Sequence, residues 1–137
     1  MIKDELTKMK FSVLILFNLL FFASCRKAGT GGDASLMVYL QHHGNAVINH
    51  IGYPDTVFLK FNVDELPGTR PSDYDVLFVG TPLDNFILCD GLKAGKYFVY
   101  AVGYDSIWGA RVKGGVPLKI KYSERKHQIN LTLPVTE

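Results

Sequence analysis

Three of the four histidines in this chain lie within nine consecutive positions. They are His42, His43 and His50, and imidazole nitrogen is a common ligand of divalent transition metals in proteins. No cysteine or acidic residue adjoins them to complete a ligand set. Adjacent residues of a strand point to opposite faces, so His42 and His43 cannot hold one ion if a strand continues through both. Metal or haem handling by these histidines is therefore an alternative hypothesis, and no metal or cofactor site is predicted.

The predicted chain reversal after the first two histidines also separates the third from them. Gly44-Asn45 is typical of a two-residue hairpin turn, and such a turn pairs His42 with Val47. His50 then lies about 10 Å along the ladder from His42. The sequence thus places the three imidazoles apart.

Cys25 has a different kind of chemistry. It ends the sequence Leu-Phe-Phe-Ala-Ser-Cys, which resembles a bacterial lipobox with its bulky apolar residue, small residues and final cysteine. The apolar run Phe11–Phe22 before it spans about 18 Å as a helix, well short of the roughly 30 Å hydrocarbon core of a bilayer. Its length and the lysines before it are typical of a signal peptide. We expect residues 1–24 to be removed and Cys25 to carry acyl chains such as palmitate, which hold the protein on a membrane.

The composition excludes some partners. The chain has 15 basic and 13 acidic residues, and this near balance argues against a nucleic-acid partner, which needs clustered basic charge. The nearest approach to a cluster is Lys119, Lys121, Arg125 and Lys126. The first two alternate with apolar residues, as they do on a solvated strand face.

The second cysteine is predicted to be structural. Cys89 ends the apolar segment Asn85–Cys89, where a buried and inert thiol is expected. Lipidation of Cys25 leaves Cys89 without a partner, so no disulfide is predicted.

The rest of the chain carries strand signals and no helical periodicity. Residues 25–33 are polar and glycine-rich, which predicts a flexible tether. Beyond it, short apolar segments alternate with Gly, Pro and Asp turns. The segments are Leu36–Gln41, Ala46–Ile48, Asp55–Phe61, Tyr74–Val79, Phe86–Cys89, Tyr97–Gly103, Leu118–Tyr122 and Ile129–Leu133. They predict an all-β fold: a single antiparallel β-sandwich of about seven strands over residues 34–137, preceded by the signal-peptide helix.

One segment carries a family resemblance. The motif F-x-x-L-x-x-G-x-Y-x-V of carboxypeptidase-regulatory-like and transthyretin-like modules is matched at Leu92, Gly95, Tyr97 and Val99, with Cys89 in place of the usual aromatic. The resemblance implies an Ig/transthyretin-like sandwich with an accessory or binding role. We expect positive φ at Gly95, with Leu92 and Tyr97 closing one end of the sandwich. The chain is also similar to small Bacteroidetes-type lipoproteins in His42–Gly44, Glu65–Gly68, Tyr74-Asp75, Val102–Asp105 and Leu131–Val135.

No enzyme is predicted. The hydrolase branch of transthyretin-like folds has a C-terminal Tyr-Arg-Gly-Ser signature, whereas this sequence reads Pro134–Glu137 there. A nucleophile elbow, a phosphate loop and a zinc-protease motif are also absent from the sequence. Loop carboxylates such as Asp64 and Asp105 are interpreted as turn and solvation residues.

An aromatic row supplies the candidate binding face. If Tyr97 points to the core, alternation sends Phe98, Tyr100 and Tyr104 outward, and Trp108 follows in the next loop. An exposed row of this kind often contacts a partner protein or a glycan. The alternative is that a neighbouring loop covers the row, since Phe and Tyr favour strands in any case.

Two tripeptides add a weaker hypothesis. Asp55–Val57 and Asp105–Ile107 are similar to the Asp-Ser/Thr-apolar acceptor of Bacteroidetes O-glycosylation. Ser106, in a predicted loop, is the better candidate, because Thr56 opens a strand.

Together these features predict a cell-envelope lipoprotein, anchored by Cys25 to the outer membrane, that acts as a non-catalytic binding or accessory module. The predicted tether lacks the acidic run of many surface-exported Bacteroidetes lipoproteins. We therefore expect the domain to face the periplasm and to have an envelope protein or a glycan as its partner.

Overall fold

The structure is a computed structural model that describes residues 2–5, 8–10 and 26–137. Residues 2–5 and 8–10 are helical, and the chain from residue 26 onward is a β-domain. Within these described ranges, no helix is both long enough and apolar enough to cross a membrane. The predicted signal-peptide core and the predicted lipidation residue, Cys25, lie outside the described residues.

Eight strands form the described domain. They are β1 (Thr30–His42), β2 (Asn45–Ala46), β3 (Thr56–Phe61), β4 (Val76–Val79), β5 (Ile87–Leu92), β6 (Gly95–Asp105), β7 (Ala110–Ile120) and β8 (Gln128–Pro134). Two 3-10 turns, Pro71–Asp73 and Tyr122–Glu124, precede β4 and β8.

The strands form two sheets that pack face to face as a sandwich. In the first sheet β1 is central, with β5 and β2 along one edge and β8 along the other. The second sheet has the order β4-β3-β6-β7. Apart from β1 and β8, which are parallel, the paired strands of both sheets are antiparallel. The predicted all-β sandwich is confirmed, and the parallel pair is the main departure from it.

The parallel pair follows from where β7 ends. The antiparallel neighbours β6 and β7 bring the chain back to the end of the sandwich where β1 begins. The turn at Tyr122–Glu124 then crosses to the first sheet, and the Ser35 N–H donates to the His127 carbonyl at 3.2 Å. β8 therefore starts beside the start of β1 and runs in the same direction.

The core between the sheets contains the predicted apolar faces. Leu36, Val38 and Leu40 of β1 are buried against Val57 and Leu59 of β3 in one continuous cluster. Cys89 belongs to the same cluster and is fully buried, and this burial raises the pKa of its thiol to about 12. The thiol is therefore protonated and inaccessible, as the sequence predicts.

Most of β7, residues 110–117, is strand that the sequence did not predict. Gly114, Gly115 and Pro117 lie in it, and these residue types are poor strand formers. Proline is tolerated because β7 is an edge strand. Gly114 is required by a close approach, because a Cβ there would lie 2.3 Å from the Pro134 carbonyl oxygen.

The end of the sandwich at the β5–β6 turn closes as predicted. Gly95 has a φ of 155°, and a Cβ on it would lie 2.5 Å from the backbone nitrogen of Ala28. Leu92 and Tyr97 are buried. The Tyr97 hydroxyl donates to the Lys93 carbonyl at 2.6 Å and accepts from the Gly29 N–H at 3.0 Å.

The prediction of a flexible tether over residues 25–33 is wrong for most of that length. β1 already begins at Thr30, and Ala28 is buried with its N–H donated to Asn62 Oδ1 at 2.9 Å. The Arg26 guanidinium lies 3.3 Å from the centre of the Tyr122 ring. Glycine-rich composition is typical of a linker. Here the glycines lie at the irregular start of β1, where the register of its pairing with β5 shifts.

The hydroxyl of Tyr97 provides a test of this docking. In Tyr97→Phe, the Gly29 N–H and the Lys93 carbonyl lose their shared partner, so we expect a loss of about 1–2 kcal/mol in the free energy of unfolding, measured in urea. Tyr39→Phe is the matched control, because among the described residues the Tyr39 hydroxyl makes only a 3.9 Å contact with Met37 Sδ. Equal stabilities of the two variants would contradict the docked N-terminal segment.

Candidate functional site

The two ends of the sandwich differ in chemistry. β6 runs from Gly95 at one end to Asp105 at the other, a distance of roughly 33 Å at 3.3 Å per residue. We call the end that contains Arg26, the β5–β6 turn and the turn at Tyr122–Glu124 the proximal end, because it is the end where the described β-domain begins. The distal end contains the β1–β2 turn, the β6–β7 turn and residues 135–137.

The β1–β2 turn at the distal end has a different register from the predicted one. His42 pairs with Asn45, so the turn residues are His43 and Gly44, with φ of 47° and 80°. Two successive positive φ values suit the twist of a tight hairpin. The predicted pairing of His42 with Val47 is therefore wrong.

This shift moves His43 out of the strand. Its ring centre lies 4.1 Å from that of His42 and 4.6 Å from that of Trp108. Strand alternation does not apply to a turn residue, so the condition under which the two imidazoles would point to opposite faces is not met.

His42 is held by a buried carboxylate. Its Nδ1 lies 2.9 Å from Asp105 Oδ2, and both side chains are almost fully buried. Asp105 Oδ1 accepts the N–H groups of Ile107 at 2.9 Å and Trp108 at 3.4 Å. Burial acts to raise the pKa of Asp105, but the hydrogen bonds from His42 and these two N–H groups hold it below the usual value. An ionised Asp105 requires a proton on Nδ1 of His42, which leaves Nε2 with its lone pair in the neutral ring.

The last residues of the chain complete this end. The Val135 N–H donates to the Gln41 carbonyl at 2.9 Å, and Thr136 forms an antiparallel bridge with Lys113. The chain thereby crosses from the first sheet to the second. It brings Glu137 to the histidines, and one ligand atom each from His42, His43 and Glu137 lie within 4.8 Å of one another.

His50 is not a member of this group of ligand atoms. Its ring lies 5.5 Å from that of Tyr53 and 5.6 Å from that of Tyr104, and its Nδ1 accepts the Gly52 N–H at 3.1 Å. The structure therefore brings two of the three predicted histidines together. Glu137 and Asp105 join them through the fold alone, since no local sequence pattern connects these positions.

A groove of about 770 Å³ shares Glu137 with the group of His42, His43 and Glu137. Tyr53 and Tyr104 line it together with the exposed cations Arg111 and Lys113, and Glu137 forms part of its wall. Aromatic rings next to guanidinium and ammonium groups suit a ligand with a flat or apolar face and anionic groups.

The predicted aromatic face is not one surface. Phe98 and Tyr100 point away from the main core but are buried, so their prediction as an exposed face is wrong. The loop between β3 and β4 covers them, with Tyr74 stacked on Tyr100 at 5.5 Å. Tyr104 lines the groove, while Trp108 is 55% exposed and contacts His43.

The loop that carries Tyr53 is fastened by a buried amide. Asn49 Nδ2 donates to the carbonyls of Asp84 and Phe86 at 3.0 Å each, and Asn49 Oδ1 accepts the Asp55 N–H at 2.9 Å. Asp55 is also buried, and its Oδ2 has no hydrogen-bond partner within the described part of the chain. Burial raises the pKa of Asp55 to about 6, against the Tyr104 N–H, which lowers it.

The candidate glycosylation residues also have clear places. Ser106 is exposed in the β6–β7 turn, whereas Thr56 is half-buried at the start of β3.

Comparison with protein-family models, with curated proteins and with solved structures gives no significant match to this chain. The chemistry of the distal end is therefore the basis for a proposed function.

The raised pKa of Asp55 predicts a specific pH dependence of the free energy of unfolding. The folded state holds an extra proton between the unfolded pKa near 4 and the folded pKa of about 6, so this residue lowers stability as pH rises through that window. Relative to Asp55→Asn, the wild type should lose up to about 3 kcal/mol between pH 4 and pH 7. Urea unfolding at several pH values measures the difference, with the exposed Asp64→Asn as control. Parallel pH profiles for wild type and Asp55→Asn would contradict this assignment.

Proposed function

We propose that the protein is a cell-envelope lipoprotein, anchored at Cys25, whose β-sandwich is a non-catalytic binding module that presents its distal end to a partner. The observation that carries this proposal is the docking of Arg26 on Tyr122 at the proximal end. The residue after the lipidation site is thereby fixed to the domain, roughly 33 Å along β6 from the distal end. An acyl anchor at that point leaves the groove directed away from the lipid.

The charge of the proximal end supports the same orientation. Arg26 and Arg125 lie over the Tyr122 ring, at 3.3 Å and 3.8 Å from its centre. Lys93 and Lys126 line the shallow depression around this ring. Cations next to an anionic membrane surface stabilise binding by about 1 kcal/mol each. The proximal end is thus suited to lie against lipid headgroups.

The groove supplies the binding surface of this proposal. A glycan or an extended envelope protein segment with anionic groups can stack on Tyr53 and Tyr104 and pair with Arg111 and Lys113. We further propose that the fold is of the transthyretin-like type, which the β5–β6 connection at Gly95 supports. The outer membrane, with the domain in the periplasm, is the proposed location.

Lipidation is tested by metabolic labelling with palmitate in a host that processes bacterial lipoproteins. The wild-type chain should incorporate label and sediment with membranes, and Cys25→Ser should do neither, because the acylated thiol is gone. Cys89→Ala, which leaves the lipidation site intact, should label like the wild type. Label on Cys25→Ser, or a soluble and unlabelled wild type, would contradict the anchor.

The binding surface is tested by crosslinking in intact cells. Arg111→Gln combined with Lys113→Gln removes both groove cations and should abolish the specific crosslinked partner. The control is Lys119→Gln combined with Lys121→Gln, which removes the same charge outside the groove. Lys119 lies near the end of β7 and Lys121 directly follows the strand, so this variant should leave crosslinking unchanged. An identical partner set for both double variants would exclude the groove as the binding surface.

A further inference from the structure

We propose that His42, His43 and Glu137 bind a divalent transition-metal ion, and that Asp105 positions His42 for this role. The inference goes beyond the binding-module proposal, with whose groove the site shares Glu137, and it does not depend on the lipid anchor. Two imidazoles and one carboxylate form a donor set that suits zinc, which is the ion used in the test below.

The geometry is close to that of a bound ion. Ligand atoms on a tetrahedral zinc with bonds of about 2.1 Å lie about 3.4 Å apart. The three ligand atoms here lie within 4.8 Å of one another. His43 and Glu137 are exposed, so rotamer changes of these two side chains can close the remaining distance without moving the core.

The hydrogen bond from His42 to Asp105 is the independent observation that points to a metal. Metal-binding histidines commonly donate their other ring N–H to a carboxylate or a backbone carbonyl, which fixes the ring and raises its basicity. Nδ1 of His42 has this partner at 2.9 Å, and Asp105 is itself held by the N–H groups of Ile107 and Trp108. Nε2 is then the ring nitrogen left for an ion.

The surroundings define what else the ion contacts. Glu137 belongs both to this group and to the wall of the groove. Three protein ligands leave one tetrahedral position, and we assign it to water or to an anionic group of a molecule in the groove. Hard cations such as Ca²⁺ and Mg²⁺ prefer oxygen ligands, so they should not compete at this site.

The test is a calorimetric titration of ZnCl₂ into the untagged full chain in detergent, with thermal unfolding as a second readout. The wild type should bind one zinc ion and unfold at a higher temperature in its presence. His43→Ala and Glu137→Gln each remove one proposed ligand from an exposed position, and each should weaken zinc binding at least tenfold. His50→Ala is the matched control and should bind zinc like the wild type, while CaCl₂ should give no binding.

Asp105→Asn tests the positioning role. It should weaken zinc binding by about 10–100-fold, the effect typical of removing such a partner. Visible absorption of bound Co²⁺ shows whether the coordination geometry also changes, which a purely structural residue would not alter in a folded variant. Zinc binding that is equal in wild type and His43→Ala, or that depends on His50 instead, would overturn the proposal.

Discussion

The buried contact between His42 and Asp105 is the interaction on which the distal end depends. It joins β1 of one sheet to the end of β6 in the other, at 2.9 Å and out of contact with water. A hydrogen bond to a charged group typically contributes about 1.5–3 kcal/mol to stability. Through Asp105 the same contact also fixes the backbone of the β6–β7 turn at Ile107 and Trp108. Both distal turns therefore have a common anchor.

The final residues of the chain extend this arrangement. Pro134 ends β8 beside β1, and Thr136 pairs with Lys113 of β7, so a single segment contacts both sheets. The close approach needs Gly114, which has no room for a side chain. This constraint explains a glycine in a strand, and it is also the reason why Glu137 lies near the histidines. The approach of the final segment to β7 at Gly114 therefore determines both the packing at this edge of the sandwich and the presence of Glu137 in the candidate site.

Much of the fold could be predicted from local pattern. The alternation in Leu36–Leu40 predicts the buried face of β1 correctly. The residues around Gly95 correctly predict a tight connection between β5 and β6 with positive φ at the glycine. Residues 110–117 of β7 and the start of β1 could not be predicted, because their glycines allow close approaches and bulges that depend on tertiary contacts. Glycine-rich composition alone does not separate a linker from such a strand.

The candidate site was harder to predict, for two physical reasons. A shift of one residue in the β1–β2 turn decides whether His43 is in the strand or in the turn, and Gly44 is compatible with either register. Asp105 and Glu137 reach His42 only through strand pairing over long sequence distances. The burial of Phe98 and Tyr100 likewise depends on a loop whose path has no local signal.

The proposed metal-binding group lies at the end of the sandwich away from Cys25, the proposed lipidation site. The most direct measurement is anomalous X-ray diffraction at the zinc absorption edge from crystals grown with ZnCl₂. The account predicts one strong anomalous peak between His42, His43 and Glu137, with the contact from His42 to Asp105 preserved. A peak at His50 or at other surface residues, with none at this group, would contradict it.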